Sequence, residues 1–124
     1  MDDAGRRSVG IACDLALTLL SLDRAGVQVR TCRTSGGGAR SRWWMQLKAD
    51  LTGVPVEVTA DAEAGALGAA MLAGMGAGVF ASMEDAVRAR LPTTRRHEPD
   101  PARGARYAER LEAHQRLVPT LLAV

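Results

Sequence analysis

Ser35-Gly36-Gly37-Gly38-Ala39-Arg40-Ser41 is the stretch on which the reading of this chain turns. Before it, Val27, Val29 and Thr31 alternate with Gln28, Arg30 and Cys32, which predicts a short strand over residues 27–33. After it, Trp44, Leu47 and Leu51 recur at helical spacing from Ser41 until Gly53 and Pro55 stop the pattern. A strand that runs through a glycine turn into a helix gathers backbone N–H groups at the helix start, where the helix dipole favours negative charge. Glycine at 36 and 37 lets a phosphate group come up against the backbone, and so tight a turn calls for positive φ. Ser41 stands where its side chain caps the helix, with a hydroxyl to offer a ligand. The tract has neither the Lys-Ser/Thr ending of a P-loop nor the GxGxxG spacing of a dinucleotide site. Alone it reads as an ordinary flexible turn, so its setting decides what it is.

Outward from the turn, Val9, Cys13, Ala16, Leu17 and Leu20 predict a helix over residues 7–24, ended by Gly26. Residues 54–58 read as a second strand, and an acidic loop, Asp61 to Glu63, leads into a helix of small residues over 65–73, followed by a turn at 74–78. Ser82 caps a helix that runs to Leu91, with Asp85 at its third position, Met83, Ala86, Val87 and Leu91 facing inward, and Pro92 closing it. Residues 93–99 read as a polar connector. Asp100-Pro101 then starts a final helix whose stripe is Tyr107, Leu111, His114, Val118 and Leu121. Helix, strand, helix, strand, helix is an α/β arrangement, but two strands cannot protect both faces and edges of a sheet. The expectation is a partial domain.

Composition narrows the function. The chain has 124 residues, 47% of them apolar, enough for a core drawn from Ala, Leu, Val and Met. Its 16 basic and 14 acidic residues are too balanced to imply a nucleic-acid partner. The bunches Arg40, Arg42 and Arg95, Arg96 read as solvated faces, except where Arg40 touches the glycine turn. Cys13 and Cys32 lack a CxxC partner and a histidine at ligand spacing, so they read as reduced thiols, without a zinc site, in a cytoplasmic protein. Asp2 and Asp3 stand where a signal peptide would be basic. Residues 64–83 carry no charge, but so many are Ala, Gly or Ser that a closely packed helix, buried rather than membrane-spanning, is expected.

Taken in order and spacing, Ser35 to Ser41, Trp44, Gln46, Ala49-Asp50, Gly53-Val54-Pro55-Val56 and the run from Glu63 to Ala70 resemble the C-terminal domain of FGGY carbohydrate kinases, xylulokinase-like members above all. The segment from Glu98 through Tyr107 to Leu117 resembles that family's C-terminal helix. The resemblance implies an actin-like ATPase fold, here a partial ribonuclease-H-like domain with helices packed on a short, incomplete sheet. It implies that residues 1–124 are the C-terminal portion of the nucleotide-binding domain, with the sugar-binding domain outside this chain. It places Gly36, Gly37 and Gly38 against the adenosine and phosphate portion of ATP, Gly37 at the nucleotide-contacting glycine, Ser41 where members carry an Asn or Ser near the nucleotide, and the run from Glu63 to Ala70 on a helix behind the pocket. Three departures stand out. Val9 occupies a place that is acidic in many members, Arg42 replaces a common Pro, and Trp43 precedes the expected Trp44.

Phosphoryl transfer needs a base or positioning carboxylate, a Mg²⁺ site and groups that neutralise developing charge. In the family these lie upstream, and no segment here matches them, so no catalytic residue and no metal ligand is expected in this chain. Asp50, Asp61 and Glu63 read as caps or solvated charges, His97 and His114 as structural or exposed. The expected partners are ATP or ADP, a sugar bound by the upstream part, and a second copy or a complementing kinase fragment over the sheet edge. A non-catalytic remnant serving as a protein-interaction module is the competing expectation.

Overall fold

The computed structural model describes residues 3–59, 64–90 and 93–122, as six helices and three strands. The loop at Asp61 to Glu63, Leu91 and Pro92, and the side chains of Val118 and Leu121 lie outside the described part.

Helix α1 (Asp3–Arg24) buries Val9, Ala12, Cys13 and Ala16, so the predicted stripe holds for Val9, Cys13 and Ala16, while Leu20 at its far end is 40% exposed. Strand β1 (Cys32–Thr34) is shorter and later than the alternation over 27–33 suggests. Val27 is 52% exposed and has no sheet to lie on, because the register begins only where Cys32 meets Val56. A 3-10 turn (Gly37–Arg40) carries the chain into α2 (Arg42–Thr52), and β2 (Val56–Thr59) returns parallel to β1. This is a βαβ unit, in which a helix must cross over to bring two strands parallel. Helix α3 (Ala64–Gly76) and α4 (Met83–Arg90) follow, the latter capped by Ser82, whose Oγ accepts from the Asp85 amide at 3.1 Å.

Residues 93–97, read above as a connector, form strand β3 (Thr93–His97), antiparallel to β2. The polar sequence suits it because the strand serves two unlike faces. Arg95 and His97 turn toward α2, whereas Arg96 lies opposite Glu57 and its guanidinium bonds that carboxylate at 2.6 Å. The sheet therefore has three strands in the order β1-β2-β3. The final helix is two: α5 (Pro101–Ala105), with Asp100 Oδ1 accepting from the Ala102 and Arg103 amides, and α6 (Ala108–Leu122). They part at Arg106 and Tyr107, where Tyr107 packs on the α1–α2 cluster.

Two apolar clusters sit on α2. Leu47 and Leu51 meet Val9, Ala12, Cys13 and Ala16 of α1, while Met45 and Ala49 meet Ala39, Val56 and Val58 at the sheet. Half-buried Trp44 touches both. Helix α3 departs from expectation: it packs chiefly on α4, and of its residues Met71 is buried while Leu72 is 61% exposed. Among the described residues no helix is long and apolar enough to cross a membrane.

On its remaining side α2 meets α5 so closely that a Cβ on Gly104 would lie 2.6 Å from the Asp50 carbonyl oxygen. Alanine is the better helix former by about 1 kcal/mol, yet here the contact decides the sign. Gly104→Ala is expected to destabilise the chain by about 1–3 kcal/mol, measured as a lowered urea midpoint; an unchanged or raised midpoint would mean that α5 does not pack this tightly.

Candidate functional site

The glycine turn begins where β1 ends. Gly36 has φ 88° and ψ 179°, a backbone region open to glycine almost alone. The 3-10 turn then closes through Ala39 N–H to Gly36 O at 3.0 Å and Ser41 N–H to Gly38 O at 3.3 Å. Ser41 caps α2 as its position predicts, its Oγ accepting from the Trp44 amide at 3.2 Å. The first N–H groups of the turn, at Gly37 and Gly38, and of α2, at Arg42 and Trp43, have no intrahelical acceptor by the geometry of helix starts. The structure thus brings Gly36, Gly37, Gly38 and Ser41 together as one donor-rich ledge.

Glycine at 37 and 38 is not demanded by the chain's own packing. Neither has positive φ; a Cβ on Gly37 would meet nothing within 4 Å, and one on Gly38 would make ordinary contact with the Trp44 ring at 3.7 Å. The open space at Gly37 is what an approaching ligand needs. Beyond the ledge, Trp43 is 54% exposed and stacks on Trp44, over whose ring Lys48 Nζ sits at 4.7 Å.

Beneath the turn lies a network that the sequence did not announce. Asp50, expected to be a cap or a solvated charge, is 6% exposed. Its carboxylate accepts from Arg103 Nε at 2.7 Å, the Asp100 amide at 2.9 Å and Gln46 Nε2 at 2.7 Å. Burial by itself would raise its pKa, but these hydrogen bonds outweigh burial and hold the carboxyl below the ordinary carboxylate range. Gln46 Nε2 also donates to Glu98 O at 2.7 Å. With the amide nitrogen so engaged, Gln46 Oε1 faces His97 Nδ1 at 3.3 Å, an acceptor to which a protonated Nδ1 donates. His97 Nε2 is buried and has no partner among the described residues. Burial, then Arg95 and Arg42, push the His97 pKa down. His114, by contrast, meets Asp14 at 2.6 Å and joins α6 to α1.

Sequence reasoning missed Asp50 because its partners lie about half the chain away. Its one local signal was the Gln46–Asp50 spacing of four, which puts both on one helix face. Arg95 and Arg96 are likewise not the solvated pair expected of them: Arg95 donates to Ala39 O at 2.9 Å, and Arg96 joins Glu57. A cleft of about 420 Å³ lined by Arg42, Trp43, Gln46, Asp50, His97 and Arg103 opens over this network. Among the described residues no group of three or more His, Cys, Asp and Glu is placed to hold a metal ion. Cys13 and Cys32 are free thiols whose pKa values burial raises.

Residues 8–77, which include the whole ledge, match the C-terminal domain of the FGGY family of carbohydrate kinases. The chain belongs to that family. It is similar to the autoinducer-2 kinase of Escherichia coli K12, with 40% identity over 75 residues, covering 60% of this chain and 14% of that protein. With the autoinducer-2 kinase of Salmonella typhimurium LT2 the identity is 37% over 91 residues, covering 73% of this chain and 17% of the relative. The crystal structure of xylulose kinase from Rhodospirillum rubrum superposes with a TM-score of 0.73 at 31% identity, over 94% of this chain and 24% of that one. The chain thus spans a quarter or less of the length of these FGGY relatives. Its helices on a three-stranded sheet are part of their actin-like ATPase fold.

Two outcomes follow for the network. Asp50→Asn leaves Arg103 without its carboxylate; because Arg103 is half exposed, the loss is expected at about 1–3 kcal/mol, short of the 3–5 of a fully buried pair, read as a shifted urea midpoint. His97 has a folded pKa below its ordinary 6.5, so the unfolded chain takes up its proton first. The stability this confers is present above pH 6.5 and is lost as pH falls through the lower folded value. Urea midpoints at about pH 7.5 and about pH 5.5 should therefore diverge more in the wild type than in His97→Asn; equal divergence would contradict a lowered His97 pKa.

Proposed function

We propose that this chain is the nucleotide-contacting end of an ATP-dependent carbohydrate kinase, a cytoplasmic enzyme part that contributes to γ-phosphoryl transfer onto a sugar or polyol hydroxyl. Residues 1–124 form the C-terminal portion of the nucleotide-binding domain. Gly36, Gly37, Gly38 and Ser41 contact ATP or ADP. The observation that carries this reading is the ledge itself: Gly37 and Gly38, which the chain's own packing does not require to be glycine, with open space at Gly37, stand beside the start of an eleven-residue helix, where the first N–H groups lack intrahelical acceptors.

The chain's chemistry supports a binding role and not a catalytic one. Asp50 is buried and its carboxylate is held by Arg103, Gln46 and the Asp100 amide, which lower its pKa and make it a poor base for a sugar hydroxyl. The sugar, the metal ion and the general base belong to the upstream part of the kinase, in the same or a complementing chain. Neither nucleic acid nor membrane is a partner in this reading.

A second reading, an interaction module that keeps the fold without nucleotide, is favoured by the exposed apolar side chains Ile11, Leu72, Val79 and Leu117. ADP separates the two. Because the Trp44 ring lies 3.7 Å from where a Gly38 Cβ would stand, ADP at the ledge should change tryptophan fluorescence. Gly37→Val, which adds a side chain to the open side of the turn, should weaken that binding at least about tenfold, or about 1.4 kcal/mol, while leaving the melting temperature near that of the wild type. A flat response of the folded wild type at millimolar ADP would leave the interaction module standing.

A further inference from the structure

We infer that Arg95 is a positioning residue for the glycine turn, holding the ledge in its ligand-ready shape from 56 residues further along the chain. The inference rests on the nucleotide reading for its purpose, and on geometry alone for its substance. A 3-10 turn of four residues leaves its last carbonyls without partners of its own. Ala39 is the buried residue of that turn, at 4% exposure, and a buried carbonyl left unpaired is strongly disfavoured. Its acceptor is met by Arg95, whose terminal nitrogen donates to Ala39 O at 2.9 Å.

The strand register explains why the arginine reaches that atom. Arg95 lies opposite Val58 on β2, and Val58 packs in the cluster that contains Ala39 and Met45. Strand alternation sends Arg95 to this face and Arg96 to the other, where Arg96 is committed to Glu57 and Glu98. Fixing the peptide that follows Ala39 fixes the join between the 3-10 turn and the Ser41 cap of α2, and hence the direction of the free N–H groups on both sides of it. The guanidinium also places a positive charge close under the ledge, the sign a polyphosphate requires.

The test uses the whole chain as wild type, Arg95→Met and Arg95→Lys, with amide hydrogen exchange and ADP titration. Arg95→Met should speed exchange at Ala39 and Ser41 by about tenfold, as loss of one charge-assisted hydrogen bond allows, leave the α1 core amides as they are, and weaken ADP binding by a similar factor. Arg95→Lys, which retains a charged donor, should restore much of both. If Arg95→Met proves unfolded, Arg95→Gln, neutral and shorter than the guanidinium that reaches Ala39 O, carries the same comparison. Exchange at Ala39 and Ser41 that matches the wild type in Arg95→Met, or a lysine variant no better than methionine, overturns the inference. Altered exchange together with absent ADP binding in the wild type upholds the positioning role and rejects the nucleotide reading instead.

Discussion

Helix α2 is covered on three sides, and each side is an i, i+4 pair. Leu47 and Leu51 take α1, Met45 and Ala49 take the sheet, and Gln46 and Asp50 take β3 and α5. Residues four apart stack along one face of a helix, so three such pairs in register divide the circumference among three neighbours. Two of the pairs are apolar and act by burial. The third is polar, and its buried carboxylate requires Arg103, the Asp100 amide and Gln46 together. Leaving such a charge unpaired is what a protein interior tolerates least. That requirement fixes where the chain after β3 must go.

The glycine turn inherits its rigidity from this arrangement. Its downstream end is the capped start of α2, its upstream end is β1, and β1 is held by β2, whose Val56 and Val58 lie in the cluster beneath α2. A flexible tract by composition thus becomes a fixed ledge because both of its ends are attached to the same core. The opposite face of the sheet, where Glu57 gathers Arg33, Arg96 and Thr93, is polar and contributes pairing instead of core. Helix α3 stands apart from this logic. Its apolar side chains lie largely exposed, as expected of a chain that spans a quarter or less of its relatives.

Much of this was legible in the residues. Periodicity found α1, α2 and β2, the Ser82 and Asp100 caps are where their side chains predicted, and the order and spacing of the segments around the turn pointed to the family. Local pattern failed where distant partners decide. Residues 93–97 look like a connector, since nothing in Thr-Thr-Arg-Arg-His shows that Glu57 waits opposite Arg96 or that Ala39 O needs Arg95. Residues 27–31 look like a strand, yet the alternation has no partner strand to make it one. Asp50 looks like any surface carboxylate of a helix until Arg103 is folded against it. At the site, the residue types marked the ledge, but the long-range bonds that support it appear only in three dimensions.

The central claim is that the ledge of Gly36, Gly37, Gly38 and Ser41 is where an adenine nucleotide meets this chain. Its most direct measurement is a ¹⁵N–¹H correlation spectrum of the labelled chain titrated with ADP. The account predicts saturable shifts centred on the amides of Gly37, Gly38 and Ser41, fading along α2. Shifts centred instead on the cleft of Gln46, His97 and Arg103, or on the apolar groove between α1 and Val29, with the glycine amides unmoved, would contradict it.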